Sequence, residues 1–346
     1  MSQSGKLRGK AWFEERCNER FSMTHTAAVE MFVGIEISRD RANRTLDLRQ
    51  TGYNDKILKK YKLIDEDGKP DWGDDTPMAE GTKVSEEDCC NGDPGKKAEF
   101  DKLGFDYISA AASLLYASIV TRPDLAFVAK ECCKVMSDPG PKHVPIVKRV
   151  LKYLRGTRDW GIRYQANDID ALTNSLKLEY IEVADLTLAA YCDASFGDDP
   201  DTRRSTQGMV AMLCNGPVSW FCQGQKSTSL STAEAELIAL ADALKEVLYM
   251  REAMVFLGVP QLEPTVIYED NQAVVATAHN PGKNHGKLKH VAIRTSRVQE
   301  EVHLQTINVI HKPTAFMLAD ILTKALGKVQ FKKLALAILG LCKLKE

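Results

Sequence analysis

From residue 186 to residue 326 the chain runs through three short β-prone segments and then alternates helical patterns with short apolar runs, an order that leaves few ways to fold. It predicts strands over 186–193, 206–214, 217–223, 265–268 and 306–311, and helices over 231–257, 271–279, 288–302 and 315–326. Elements in that order build an α/β domain with a mixed five-stranded sheet flanked by helices.

Four carboxylates fall at informative places in this pattern. Asp193 ends the first strand, Glu236 lies on the long helix, Asp270 follows the fourth strand, and Asp320 sits among helix formers near residue 326. Spread over almost 130 residues, they meet only if the fold gathers them at one end of the sheet. Clustered carboxylates repel one another and take up protons unless a cation joins them. Hard oxygen donors suit two Mg²⁺ or Mn²⁺ ions, and a pair of such ions serves in-line phosphodiester hydrolysis. Taken singly, each acid is equally at home as a solvated or capping residue. Glu234 competes with Glu236: two residues apart on one helix, they point to different faces. Glu236 borders the stripe of Leu237, Leu240, Ala241 and Leu244, and Glu234 leans away from it.

The strings around these acids resemble a known family. Tyr191-Cys-Asp-Ala-Ser-Phe-Gly-Asp, Asp201-Thr-Arg-Arg-Ser-Thr-Gln-Gly, Gly216-Pro-Val-Ser-Trp, Ser229-Leu-Ser-Thr-Ala-Glu-Ala-Glu-Leu and Ala319-Asp-Ile-Leu-Thr-Lys occur in the order found in the ribonuclease H domain of copia-type retrotransposon Pol polyproteins. The resemblance implies a ribonuclease H-like fold, two divalent ions held by Asp193, Glu236, Asp270 and Asp320, and hydrolysis of the RNA strand of RNA/DNA hybrids. It also matches His285, Lys289, His290 and Arg294 to the family's His-x-x-x-Lys-His-x-x-x-Arg stretch. Ala292 and Thr295 depart from that stretch, where the family carries acidic and aromatic residues.

A hybrid needs contacts to its phosphates and to the 2′-hydroxyl. Between His279 and Gln299 lie five basic residues, Lys283, Lys287, Lys289, Arg294 and Arg297, and no acid. This local positive surface stands out in a chain of net charge −1, whose overall charge gives no attraction to a polyanion. Arg203, Arg204 and Lys226 are further phosphate candidates, and Ser229, Ser231 and Thr232 are candidate donors near the 2′-hydroxyl. Lys148, Arg149, Lys152 and Arg155 recur at helical spacing beside Val147, Val150, Leu151 and Leu154, giving an amphipathic helix with a basic face. Such a face grips duplex phosphates in a polymerase thumb and is otherwise simply solvated. Arg122 in Thr-Arg-Pro-Asp has the same two readings, phosphate contact or turn and cap.

Residues 1–164 resemble the reverse transcriptase part of the same polyproteins, through Phe32-Val-Gly-Ile-Glu-Ile, Leu48-Arg-Gln-Thr-Gly-Tyr and Val150-Leu-Lys-Tyr-Leu-Arg-Gly-Thr. The resulting division is a palm and connection remnant over 1–64, an acidic polar loop over 65–100, a mainly helical thumb and connection over 101–170, a linker over 171–185, the ribonuclease H domain over 186–328 and a tail over 329–346. Within the first part, 12–21 and 53–61 read as helices, and 31–38 with 45–50 as a hairpin around Asp40-Arg-Ala-Asn. No Tyr-x-Asp-Asp occurs ahead of Phe32, and Asp74-Asp75 lies in a polar stretch, so DNA polymerisation is not expected and other Pol components are the expected partners.

With 44% apolar and 27% charged residues over 346 positions, the chain has the make-up of a globular protein of about two domains. Its nine cysteines include two adjacent pairs and no Cys-x-x-Cys, which argues for free thiols over zinc, and His279, His285 and His290 have no cysteine pair near them. Cys192, Cys214 and Cys222 read as small strand hydrophobes, and His311 as a strand-end residue. No apolar run approaches 18 residues and the start is polar, so the expectation is an intracellular protein without membrane contact, in the cytoplasm within virus-like particles or in the nucleus. Two rival readings remain: a catalytically inactive nucleic-acid-binding remnant of a truncated polyprotein, and a related DNA integrase or resolvase.

Overall fold

A computed structural model describes residues 16–21, 29–64, 73–165, 186–280 and 289–342. Residues 12–15 of the helix expected over 12–21, the linker at 171–185, and Lys283, His285 and Lys287 lie outside the described residues, as do the side chains of Lys289 and His290.

The first half pairs an antiparallel sheet with helices. Strands β1 (Met31–Phe32), β2 (Ile35–Asp40), β3 (Thr45–Arg49) and β4 (Ile162–Gln165) lie in that order. The expected hairpin forms, with Glu36 opposite Arg49 and Asp40 opposite Thr45. Asp40 Oδ1 accepts from the amides of Ala42 and Asn43 and sets its turn. Strand β4 was not foreseen: it closes the sheet from over a hundred residues away, with Arg163 donating to Asp47 at 2.7 and 2.8 Å.

Between β3 and β4 come helices α1 (Thr51–Lys60), α2 (Pro94–Lys102), α3 (Tyr107–Val120), α4 (Ala126–Lys134) and α5 (His143–Gly156). The stretch expected as polar loop up to residue 100 therefore contains a helix. Asp93 caps it by accepting from Gly95 and Lys96, and Pro94 starts it. Ahead of it Met78, Val84, Cys89 and Cys90 are buried; so few apolar residues among many polar ones leave no period to detect. Arg122 faces no phosphate, being fully buried. Its guanidinium donates twice to Asp124, at 2.9 and 2.8 Å, and once to the Thr157 carbonyl, while the Tyr153 hydroxyl donates to Asp124. A buried charge held this way is a structural clamp, and removing one partner strands the other. On α5, Lys148 and Lys152 are exposed, but Arg149 donates to Thr76 and Arg155 to Leu63, so half of the basic face fastens chain segments instead.

The second half is built on strands β5 (Ala189–Ser195), β6 (Thr206–Leu213), β7 (Gly216–Gly224), β8 (Thr265–Glu269) and β9 (Ile307–His311) in the order β7-β6-β5-β8-β9. The pairs β7·β6 and β6·β5 are antiparallel, and β5·β8 and β8·β9 parallel. Helices α6 (Thr232–Phe256), α7 (Gln272–His279) and α8 (Lys289–His303) cover one face, where Ala190, Cys192, Met209, Leu240, Leu244 and Val298 share a core. Tyr191, Val210 and Trp220, of the opposite parity, pack against the helices of the first half. The Trp220 indole donates to the Ser118 carbonyl there, and Tyr164 to the Pro217 carbonyl.

Two late expectations need correction. The helix expected over 315–326 is instead a pair of 3₁₀ turns, Thr314–Phe316 and Leu318–Leu322. All five residues from Leu318 to Leu322 are buried, and enclosure on every side gives no one-sided helical stripe. The stretch expected as a tail carries helix α9 (Lys328–Ile338), which places Phe331, Leu334 and Ile338 in the core of the first half. Among the described residues no single helix is long and apolar enough to cross a membrane.

Candidate active site

The central strand β5 delivers Asp193, buried and directly opposite Gly208 on β6. That glycine is a requirement of the site: a Cβ there would lie 2.6 Å from Leu322 Cβ and 3.0 Å from Thr323 Cγ2. Its absence lets the Leu318–Leu322 turn settle on the sheet with Asp320, Thr323 and Lys324. The Thr323 hydroxyl donates to Asp193 Oδ2. Lys324 Nζ lies 3.1 Å from Asp320 Oδ1 and 3.5 Å from Asp193 Oδ2.

Glu236 reaches the same place from the second turn of α6, and Asp270 from the residue after β8, where Thr314 donates to its Oδ2 at 2.8 Å. Carboxylate oxygens of Asp193, Glu236 and Asp270 all lie within 4.8 Å of one another. Glu236 Oε2 is buried and has no hydrogen-bond partner among the described residues. Asp320, the fourth expected member, stands beside these three and is joined to them through Lys324.

Burial, reinforced by the charges of Glu269, Asp193 and Asp270, pushes the Glu236 carboxyl up to about 11. Burial likewise raises Asp193, against the pull of Lys324 and Thr323, and lifts Asp320 to about 7 with the help of Asp193. At neutral pH such a set ionises fully only with added positive charge. Oxygen donors this close, one of them orphaned, fit a divalent cation such as Mg²⁺ or Mn²⁺.

Sequence reasoning missed a fifth carboxylate. Glu269 is fully buried at the end of β8; its Oε1 accepts from the Asn271 amide at 3.1 Å and its Oε2 from the Cys192 thiol at 3.4 Å, and burial lifts it to about 8. Its signal was the period-two alternation that puts Thr265, Ile267 and Glu269 on one buried side. Lys324 and Thr323 were in plain view in the Ala-Asp-Ile-Leu-Thr-Lys string, yet only the turn that folds them back reveals their contacts.

The nucleic-acid candidates divide. Arg203, Arg204 and Lys226 are exposed. Ser229 is buried and donates to Gln225, and Ser231 caps α6 by accepting from the Glu234 amide, so both hydroxyls serve local structure. Arg294 is half-buried with Nη1 3.8 Å from Asp242, and Thr295 is buried with its hydroxyl on the Val291 carbonyl. His279 shares a 2.8 Å hydrogen bond with the Val309 carbonyl, which leaves it little freedom as a metal ligand.

No protein-family model matches the chain. A sheet ordered β7-β6-β5-β8-β9, with carboxylates converging from its central strand, the long helix and the next parallel strand, defines a ribonuclease H-like domain, here preceded by a mainly helical region. The chain is similar to the copia-type retrotransposon Pol polyproteins and resembles their reverse transcriptase thumb and connection and their ribonuclease H domain. It is 30% identical over 315 residues to the retrovirus-related Pol polyprotein from transposon TNT 1-94 of Nicotiana tabacum, covering 91% of this chain and 22% of that protein. With the polyprotein from transposon RE1 of Arabidopsis thaliana it shares 30% identity over 321 residues, 93% of this chain and 20% of that one. It thus spans about a fifth of the length of these relatives. Among solved structures, LC11-RNase H1, isolated from compost, is similar at 15% identity, covering 40% of this chain and 93% of its own, with a TM-score of 0.32.

Proposed function

We propose that the chain is a divalent-metal-dependent endonuclease that hydrolyses the RNA strand of RNA/DNA hybrids. The observation that carries this reading is the convergence of Asp193, Glu236 and Asp270 within 4.8 Å, with one oxygen of Glu236 buried and unpartnered. Two Mg²⁺ or Mn²⁺ ions, held by these three acids and Asp320, would when bound supply an acidified water and a Lewis acid for the leaving oxygen. Thr323 fixes the Asp193 carboxylate by its hydroxyl, and Thr314 does the same for Asp270. Glu269, braced by Asn271 and Cys192, is close enough to Glu236 to help raise its carboxyl. Exposed Arg203, Arg204 and Lys226 are the candidate phosphate contacts, and the sequence adds Lys283, His285, Lys287, Lys289, His290 and Arg294 to them. Lys148 and Lys152 offer a second, separate contact from α5. In this reading the chain works inside the cell alongside other Pol components and cleaves without polymerising.

The test is Mg²⁺-dependent cleavage of a labelled RNA/DNA hybrid by the full chain and by Asp193→Asn. Cleavage of the RNA strand by the first and none by the second is expected. Binding without cleavage by both would leave the nucleic-acid-binding remnant in its place, and cutting of duplex DNA would favour an integrase-like nuclease.

A further inference from the structure

The Lys324 side chain lies against two of the site's acids, Asp193 and Asp320. The turn that brings Asp320 to the sheet also brings Lys324, because the Lys324 amide donates to the Asp320 carbonyl at 3.2 Å and the two side chains stand four residues apart. The ammonium then sits between Asp193 Oδ2 and Asp320 Oδ1, at 3.5 and 3.1 Å. An ion bridging those two carboxylates needs metal to oxygen distances near ~2.1 Å, and so needs the same space. Placing it there with the ammonium in position would set a single and a double positive charge within a few ångströms of each other in a buried pocket.

The other side of the site is different. Carboxylate oxygens of Asp193, Glu236 and Asp270 converge within 4.8 Å, and Glu236 Oε2 has no hydrogen-bond partner among the described residues. We propose that Lys324 is a tethered cation filling the position between Asp193 and Asp320, so that the nucleic-acid-free chain takes up one divalent ion rather than two. This rests on reading the acids as metal ligands. The Lys324 side chain is 36% exposed and flexible, so it can swing to solvent or to the phosphate of a bound strand. A second ion enters only when it does. Lys324 is in this sense a positioning residue, setting when the second place becomes free.

Mn²⁺ titrated into the nucleic-acid-free full chain, with bound ion counted by calorimetry and by loss of the free-ion paramagnetic signal, tests this directly. One ion per chain is expected for the wild type and for Lys324→Arg, which keeps the charge, and two for Lys324→Met, which keeps the stem. Asp320→Asn should still bind one, and Asp193→Asn none. Two ions on the wild type overturn the proposal and leave the metal site standing, whatever the variants do. One ion on both the wild type and a natively folded Lys324→Met overturns it too. No ion on the wild type overturns the metal site and the proposal together, and one ion on the wild type with none on Lys324→Met overturns the proposal alone. Circular dichroism establishes that each variant is folded.

Discussion

Glu234 and Glu236 are two residues apart on α6 and do unrelated work. Glu234 Oε2 accepts from the Leu230 amide while its own amide donates to the Ser231 hydroxyl, a reciprocal arrangement that closes the open end of the helix. Glu236 is buried against Asp193, Asp270 and Glu269. Glu236→Gln should therefore lower Mg²⁺-dependent hybrid cleavage at least ~100-fold with little loss of stability, because a neutral amide replaces a carboxyl that burial already keeps protonated in the metal-free chain but cannot ionise to hold a cation. Glu234→Ala should cost about 1 kcal/mol in urea unfolding and leave cleavage within about twofold. The reverse pattern in the paired assays would exchange their roles. That Glu236 rather than Glu234 is buried beside Asp193 and Asp270 was legible in the sequence, because the side bordering an apolar stripe faces the sheet. Glu269 and Lys324 were not recognised as neighbours of the site, since their partners come from elements that only the sheet order and the 3₁₀ turn bring near.

At the scale of elements, strong periods were readable and enclosed segments were not. The 25-residue helix α6 and the strands β5 to β9 lie within a few residues of where their patterns put them. The Leu318–Leu322 turn was mistaken for a helix because burial on all sides leaves composition without a period. That turn is also where the site is most sensitive to packing, since it lies on Gly208. Gly208→Ala would force Leu322 and Thr323 away from β6, carrying Asp320 and Lys324 with them. A misplacement of about 1 Å can cost 100-fold in rate, so cleavage should fall at least ~10-fold while the circular dichroism spectrum stays native. Gly224→Ala is the matching control on the neighbouring strand, where a Cβ meets nothing within 4 Å, and should leave cleavage unchanged. Equal rates for both variants would show that the turn is not held in place by the glycine.

Across the whole molecule, one apolar cluster joins α3, α4 and α5 to Val210, Leu322 and the α9 residues Phe331 and Leu334, so the acids are buried within a structure that both halves hold together. Stability and metal binding are therefore linked through those acids. Asp320 is raised to about 7 and Glu269 to about 8, from ordinary values of 3.8 and 4.5, chiefly by burial. A raised carboxyl keeps in the folded state a proton that the unfolded chain has released. The stabilisation is thus fully present below the ordinary value and is lost as pH rises through the raised one. Asp106, lowered to about 2 by Ser109 and Lys60, and the lowered Asp47 act in the opposite sense, but only as pH falls toward their ordinary value of 3.8. Buried His143, lowered by burial, also favours higher pH and offsets part of the loss up to its ordinary 6.5. In EDTA the melting temperature should accordingly fall by at least ~5 °C between pH 6 and pH 8.5, a change equivalent to a few kcal/mol for a chain of this size. Millimolar Mg²⁺ or Mn²⁺ should restore most of it at pH 8.5 and add little at pH 5, because a cation binds the ionised acids and protons compete with it. Scanning fluorimetry across that range, with and without metal, reads both effects. A melting temperature in EDTA that holds level or climbs between pH 6 and 8.5 would mean that the acids are already neutralised by the protein itself.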